Sequence, residues 1–112
     1  MAQTLRFGMV IGIRPEKLDE YQALHADDHP GVRDLLAAAH MRNFSIYLQQ
    51  FPDGKHYLFG YFEYDGDDYD ADMARLAAEP RNQQWLATCG PMQIPFPGEP
   101  TWQQMQRVYY QA

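Results

Sequence analysis

Between Leu5 and Ile13 every second side chain is a large apolar one: Leu5, Phe7, Met9, Ile11 and Ile13. A period of two belongs to a strand, because successive side chains leave opposite faces of the pleat. The segment predicts a strand with one face in a core. The other face carries Arg6, Gly8, Val10 and Gly12. Two glycines on one face mark a place where another part of the chain can approach the backbone closely.

The period then lengthens. Pro15 suits a first helical turn, and Glu16, Asp19 and Glu20 sit near the positive end of the helix dipole. Leu18, Tyr21, Leu24 and His25 line one side of a helix from Glu16 to about Asp27. Pro30 breaks that helix near Asp28 and His29 and restarts it, with Val32, Leu35, Leu36 and Ala39 as a second apolar stripe. Met41 to Gln49 alternates again, Phe44, Ile46 and Leu48 opposing Asn43, Ser45 and Tyr47. Pro52-Asp53-Gly54-Lys55 is a turn, and His56 to Tyr64 is the second arm of a hairpin. Asp65 to Asp68 reads as a solvated acidic loop. Tyr69 to Ala78 is a helix with Met73, Leu76 and Ala77 inside. Pro80 opens another helix, through about Cys89, that carries Trp85 and Leu86. Four prolines make Gly90 to Pro100 an extended loop, and Met105 to Tyr110 closes as a last strand.

The order is β-α-β-β-α-β, the ferredoxin-like α+β arrangement, with an antiparallel sheet and helices on one face. The 112 residues suffice for one domain, 1–112, and not for two. Both faces of the two hairpin strands are apolar or aromatic. The face without helices therefore needs a cover, and a second copy is the cheapest one. A homodimer with sheets face to face, or sharing a barrel, is expected.

Composition removes several functions. Nine Lys and Arg stand against 15 Asp and Glu, for a net charge of −6 with neutral His. With no basic patch, a phosphate-backbone partner is not expected. No apolar run approaches the ~20 residues that span a bilayer. Met1 to Arg6 lacks the pattern of a secretory leader, so the expected compartment is the cytoplasm. A lone cysteine, Cys89, excludes a disulfide framework and a cysteine metal cluster, and reads as packing. The acidic run Asp65, Asp67, Asp68, Asp70 and Asp72 has neither the spacing nor the closing glutamate of a calcium loop. No phosphate loop, dinucleotide fingerprint, nucleophile elbow or zinc-protease motif is present. Aromatic residues reach 14%, which suits a core and also a wall against a sugar or flat ligand.

Among the four histidines, His56 begins a strand and is expected to face solvent, and His40 ends a helix, where a cation is favourable. His29 sits at the helix break. His25 lies one turn after Tyr21 on the same helical face, a spacing that suits a phenol–imidazole proton relay.

Several segments, in order, resemble the L-rhamnose mutarotase family along the whole chain. They are Arg6–Val10, Ile13–Lys17, Glu20–His25, Pro30–Val32, Arg42–Leu48, Leu58–Tyr64, Asp72-Met73, Gln84-Trp85, Gln93–Pro95 and Met105–Tyr110. The resemblance implies a dimeric ferredoxin-like α+β barrel. It also implies an aldose mutarotase that interconverts the α and β anomers of a 6-deoxy hexose, L-rhamnose or a related sugar such as L-fucose, without cofactor or metal. It makes His25 the acid/base and Tyr21, Phe44, Trp85 and Leu86 the sugar-binding residues. The chain departs from the family at three of its positions. Phe44 stands where a tyrosine is common, Leu86 where a second tryptophan is common, and His29 where a tryptophan is common. Those departures keep open a refitted substrate or a non-catalytic sugar-binding protein. The fold alone would also accommodate a monooxygenase of the dimeric α+β barrel kind, with or without haem.

Overall fold

The computed structural model describes residues 3–112. Met1 and Ala2, part of the segment read for a leader, lie outside the described residues. Strand β1 spans Leu5–Ile13. A 3-10 turn, Pro15–Lys17, leads into helix α1, Leu18–Leu24, and helix α2 follows at Arg33–Ala38. Strands β2, Met41–Gln50, and β3, His56–Tyr64, form the hairpin. Helices α3, Tyr69–Ala78, and α4, Pro80–Cys89, precede two short strands, β4 at Gln93–Ile94 and β5 at Gln103–Met105.

All pairings are antiparallel, in the order β2-β3-β1-β4, with β5 also on β1. This is the ferredoxin-like order with the last strand split in two. The pleat puts Met9, Ile11 and Ile13 of β1 and Leu58, Phe62 and Tyr64 of β3 in the core, as the alternation requires. One buried cluster joins Ile11, Ile13 and Leu58 to Tyr21, Cys89 and Met92. The other joins Met9, Met41 and Phe62 to Ala39. Trp102 packs against both. The opposite face sets Val10, Phe59 and Tyr47 side by side across three strands.

The glycines of β1 are where the chain returns. A Cβ on Gly12 would lie 2.9 Å from the carbonyl oxygen of Ile94, and one on Gly8 would lie 3.5 Å from the Met105 methyl. Thus β4 and β5 are the close approach that those glycines predict.

Several boundaries differ from expectation. Helix α1 stops at Leu24, His25 already leaving helical geometry at φ −105° and ψ 6°, and α2 begins only at Arg33, because Gly31 takes φ +53° and no helix runs through a left-handed residue. The Gly90–Pro100 loop hides a 3-10 turn, Gly90–Met92, and β4, which is too short for alternation to register. The last strand is Gln103–Met105, not Met105–Tyr110. Extending the Gly8–Met105 register would bring Arg107 opposite Arg6, and like charges directly opposite are destabilising. Instead Arg6 donates to the Tyr110 hydroxyl at 2.8 Å and lies 4.0 Å from the centre of its ring.

Asp72 is not solvated. It is buried, accepts from the Tyr64 hydroxyl and pairs with Arg75, and its carboxyl is held below the usual range chiefly by the Tyr64 bond. Asp68 caps α3, its Oδ1 accepting from Ala71 N at 3.1 Å. His56 is half-buried rather than solvent-facing, with Nδ1 enclosed and unpartnered. His40 sits past the end of α2 in the left-handed region, φ 65°, with Nδ1 3.8 Å from Asp65 Oδ1.

Candidate active site

Helix α1 supplies two residues one turn apart. Tyr21 is buried and packs into the first core cluster. His25 is the residue at which the chain leaves the helix, with φ −105° and ψ 6°. The imidazole stacks on the Tyr21 ring at 4.2 Å, with 21° between planes. Its Nδ1 is 2.7 Å from the Tyr21 backbone carbonyl oxygen. A carbonyl can only accept, so Nδ1 carries the proton. In the neutral ring the lone pair then sits on Nε2.

The Tyr21 hydroxyl has a different partner. Gln93, in β4, donates to it from Nε2 at 3.1 Å. Burial pushes the phenol up to about 12, so it keeps its proton and has it to donate. Stacking of the two rings follows the spacing, but His25 hydrogen-bonds the Tyr21 main chain and not its hydroxyl. A direct phenol–imidazole relay is absent. Burial, above all, holds the His25 imidazole below its ordinary value; the nearby Arg33 and His29 charges act the same way, against the Tyr21 carbonyl bond.

Both residues line a cavity of about 310 Å³, at the lower end of what small-molecule sites occupy. Trp85 of α4 forms one wall, its ring 5.1 Å from the His25 ring and edge-on to it. Gly31 lets that indole seat: a Cβ there would meet Trp85 Cη2 at 3.4 Å. Phe44 and Ile46 of β2 form another wall, and Trp102 contributes to the lining. Phe44 also stacks on Phe62 at 5.4 Å, so it serves core and cavity together. Leu86 borders the cavity while 57% exposed. Thus all five residues singled out from the sequence, Tyr21, His25, Phe44, Trp85 and Leu86, border one cavity.

The sequence did not point to Arg33, Asn82, Gln93 and Trp102, which border it too. Gln93 lies in a stretch dominated by prolines, and Asn82 is a buried polar residue whose Nδ2 donates to Leu76 O at 3.2 Å. A single buried amide on a helix, three residues before Trp85, has no periodic signature. Cys89 is buried among them, its thiol pushed up to about 11 by burial, which fits packing. Among the described residues no three His, Cys, Asp or Glu side chains come together as a metal site.

A histidine of fixed tautomer sits in an aromatic-walled cavity between the helices and the sheet of a ferredoxin-like domain, an arrangement with room for a small molecule and a group able to move a proton. The chain belongs to the L-rhamnose mutarotase family, whose model matches residues 6–111. An L-rhamnose mutarotase of Ligilactobacillus salivarius (strain UCC118) is 32% identical over 92 residues, 80% of each chain. The crystal structure of an L-rhamnose mutarotase from Formosa agariphila superposes with a TM-score of 0.71 at 17% identity, covering 96% of this chain and 99% of that one. A Nitrosomonas europaea structure assigned to the antibiotic biosynthesis monooxygenases gives a TM-score of 0.54 at 13% identity, covering 97% and 94%. At such identities the two structures speak for the fold alone.

Proposed function

We propose that the chain, as a single domain over residues 1–112, is an aldose mutarotase that interconverts the anomers of a 6-deoxy hexose, with L-rhamnose as the favoured substrate. The observation that carries the reading is the His25 geometry. Its Nδ1 proton is committed to the Tyr21 carbonyl, and the basic Nε2 belongs to a side chain that lines the cavity.

Ring opening of a cyclic hemiacetal moves one proton. Nε2 of His25 takes it from the anomeric hydroxyl as the bond between C1 and the ring oxygen breaks. The electron pair of that bond goes to the ring oxygen, and the imidazolium returns the proton there. The open aldehyde turns about its C1–C2 bond, and the same transfers in reverse close it on the other face. An imidazole held below its ordinary value begins this cycle neutral, in the form the first step needs. Tyr21, with its oxygen occupied by Gln93, donates a hydrogen bond to a sugar oxygen. Trp85, Phe44 and Leu86 cover the apolar face and methyl group of the sugar. No cofactor or metal is assigned to the reaction.

We place the protein in the cytoplasm, as a homodimer without nucleic-acid or membrane partners. No helix among the described residues is long and apolar enough to cross a membrane.

Saturation-transfer NMR on the anomeric protons of an aldose panel tests the reading directly. Catalysed exchange is expected for L-rhamnose or a close 6-deoxy relative. Exchange with L-fucose or another aldose alone would reassign the substrate. Binding without exchange of any sugar would make the protein a carrier and overturn the catalytic reading.

A further inference from the structure

Between Leu24, the end of α1, and Arg33, the start of α2, the chain crosses beside the cavity without regular structure. One side chain gathers it. Arg33 donates from Nη2 to His25 O at 3.2 Å and to Ala26 O at 3.1 Å, and from Nη1 to His29 O. The carbonyls at and just past the C-terminus of a helix are the ones helical bonding leaves open. The planar fork of a guanidinium can serve several of them at once, which a point ammonium cannot. Within the same segment Gly31 N donates to His29 Nδ1 at 3.2 Å. Arg33 also borders the cavity, and among the described residues it pairs with no carboxylate.

We propose that Arg33 is a positioning residue for His25: by holding the carbonyls of His25, Ala26 and His29 it fixes the exit of α1 and aims the imidazole across the cavity. The inference rests on reading His25 as the group that moves the proton. The carbonyls that Arg33 holds are neutral, so its positive charge is left uncompensated beside the imidazole. The titratable and charged groups around His25 are Tyr21 on its own helix, His29 and Arg33 on the following segment, and Cys89 on α4. The facing residues of β2 and β4, Phe44, Ile46 and Gln93, carry no charge. Arg33 and His29 are the two whose charge opposes an imidazolium, and removing Arg33 should ease its formation.

The test compares Arg33→Gln and Arg33→Lys with the parent protein. Anomer exchange is measured by NMR, and the His25 imidazole is titrated by NMR in each folded protein. In Arg33→Gln, kcat should fall about 10-fold or more, the scale of a misplaced catalytic group. KM should stay within about threefold, since the sugar contacts remain. The His25 midpoint should rise toward the ordinary histidine value. Arg33→Lys, with the charge but not the fork, should keep the low midpoint and recover only part of kcat. Parent-like kcat and midpoint in Arg33→Gln overturn the proposal. So does full kcat in Arg33→Lys, which would show that charge suffices. Should Arg33→Gln not fold, Arg33→Lys decides: reduced kcat at an unchanged melting temperature supports positioning. Continued exchange in a folded His25→Gln protein would remove the catalytic reading instead; the His25 midpoint in Arg33→Gln would still report on the contact.

Discussion

A backbone carbonyl decides what His25 can do. Because Tyr21 O accepts from Nδ1, a neutral ring presents a lone pair at Nε2 and never at Nδ1. His25→Gln should therefore abolish catalysed anomer exchange with melting temperature and secondary structure retained; exchange measured in the folded variant checks it. The depressed imidazole sets the pH response. The base is lost only when the folded protein protonates it, so exchange should persist through pH 6.5 and decline below that, at the folded midpoint. Stability runs the same way. The unfolded chain binds the proton first, so stability should drop as pH falls from the ordinary histidine value to the folded one. Thermal melts across that interval, compared with His25→Gln, read this directly. The Tyr21–His25 pairing was legible as a spacing of four, but which atoms bond was not, since a period says nothing about rotamers. On the proposed reading, Phe44 and Leu86 should bear on affinity rather than on proton transfer. Phe44→Tyr and Leu86→Trp should lower KM for L-rhamnose and leave kcat near the parent value. Phe44 also stacks on Phe62, so its added hydroxyl must end in the cavity; if it met the core instead, overpacking would cost ~1–3 kcal/mol in a melt.

One irregularity in β2 carries Phe44 to the site. Met41 pairs with Tyr64 and Arg42 with Glu63, but Ser45 is the residue that faces Tyr61. Two residues, Asn43 and Phe44, thus oppose the single Phe62, a β-bulge. Without it, strict alternation from Met41 would send Phe44 to the other face. With it, Met41, Phe44 and Ile46 all reach the helix side. The bulge requires Asn43 at φ 54°, a conformation that Asn tolerates and β-branched residues do not. Asn43→Gly should preserve stability to within a few tenths of a kcal/mol, having lost only an exposed bond to Glu63, and keep KM. Asn43→Val should cost ~1–2 kcal/mol and raise KM as the Phe44 wall shifts. Melting curves and exchange kinetics on the pair check both. The alternation of residues 44–48 was readable, while the bulge was not, because it is a property of two strands together. The same distinction explains the rest of the chain. β1, β3, α3 and α4 carry long periodic patterns, and their limits match the sequence to within a residue or so. β4 and β5 have two and three residues. Nothing in so few side chains repeats, and only Gly8 and Gly12 announce that something lies against them.

The two faces of the sheet have different fates. One is covered by the helices and holds the cavity, through Phe44 and Ile46. The other presents Val10, Phe59 and Tyr47 in a row across β1, β3 and β2, with Tyr61 beside them, and Tyr47 is 68% exposed. A contiguous aromatic row of this kind marks a contact surface. On an antiparallel sheet, such a row suits a two-fold partner of the same shape, since an isologous interface requires a surface that matches itself. Sedimentation should accordingly return twice the 13.0 kDa chain mass at micromolar concentration, and a value of 13.0 kDa would rule the dimer out. Tyr47→Glu places a charge at the exposed end of the row, on the edge strand β2. It should dissociate the pair by like-charge repulsion and desolvation, leaving the helix side of each sheet as it was. Activity then separates two architectures. If the sheets pack face to face, each cavity is complete within its own chain, and the monomeric variant should exchange anomers with parent-like kcat. If the copies share a barrel whose strands cross between them, part of the cavity wall comes from the partner. Dissociation would then raise KM together with the change in mass. Measuring mass and exchange on the same Tyr47→Glu sample distinguishes them.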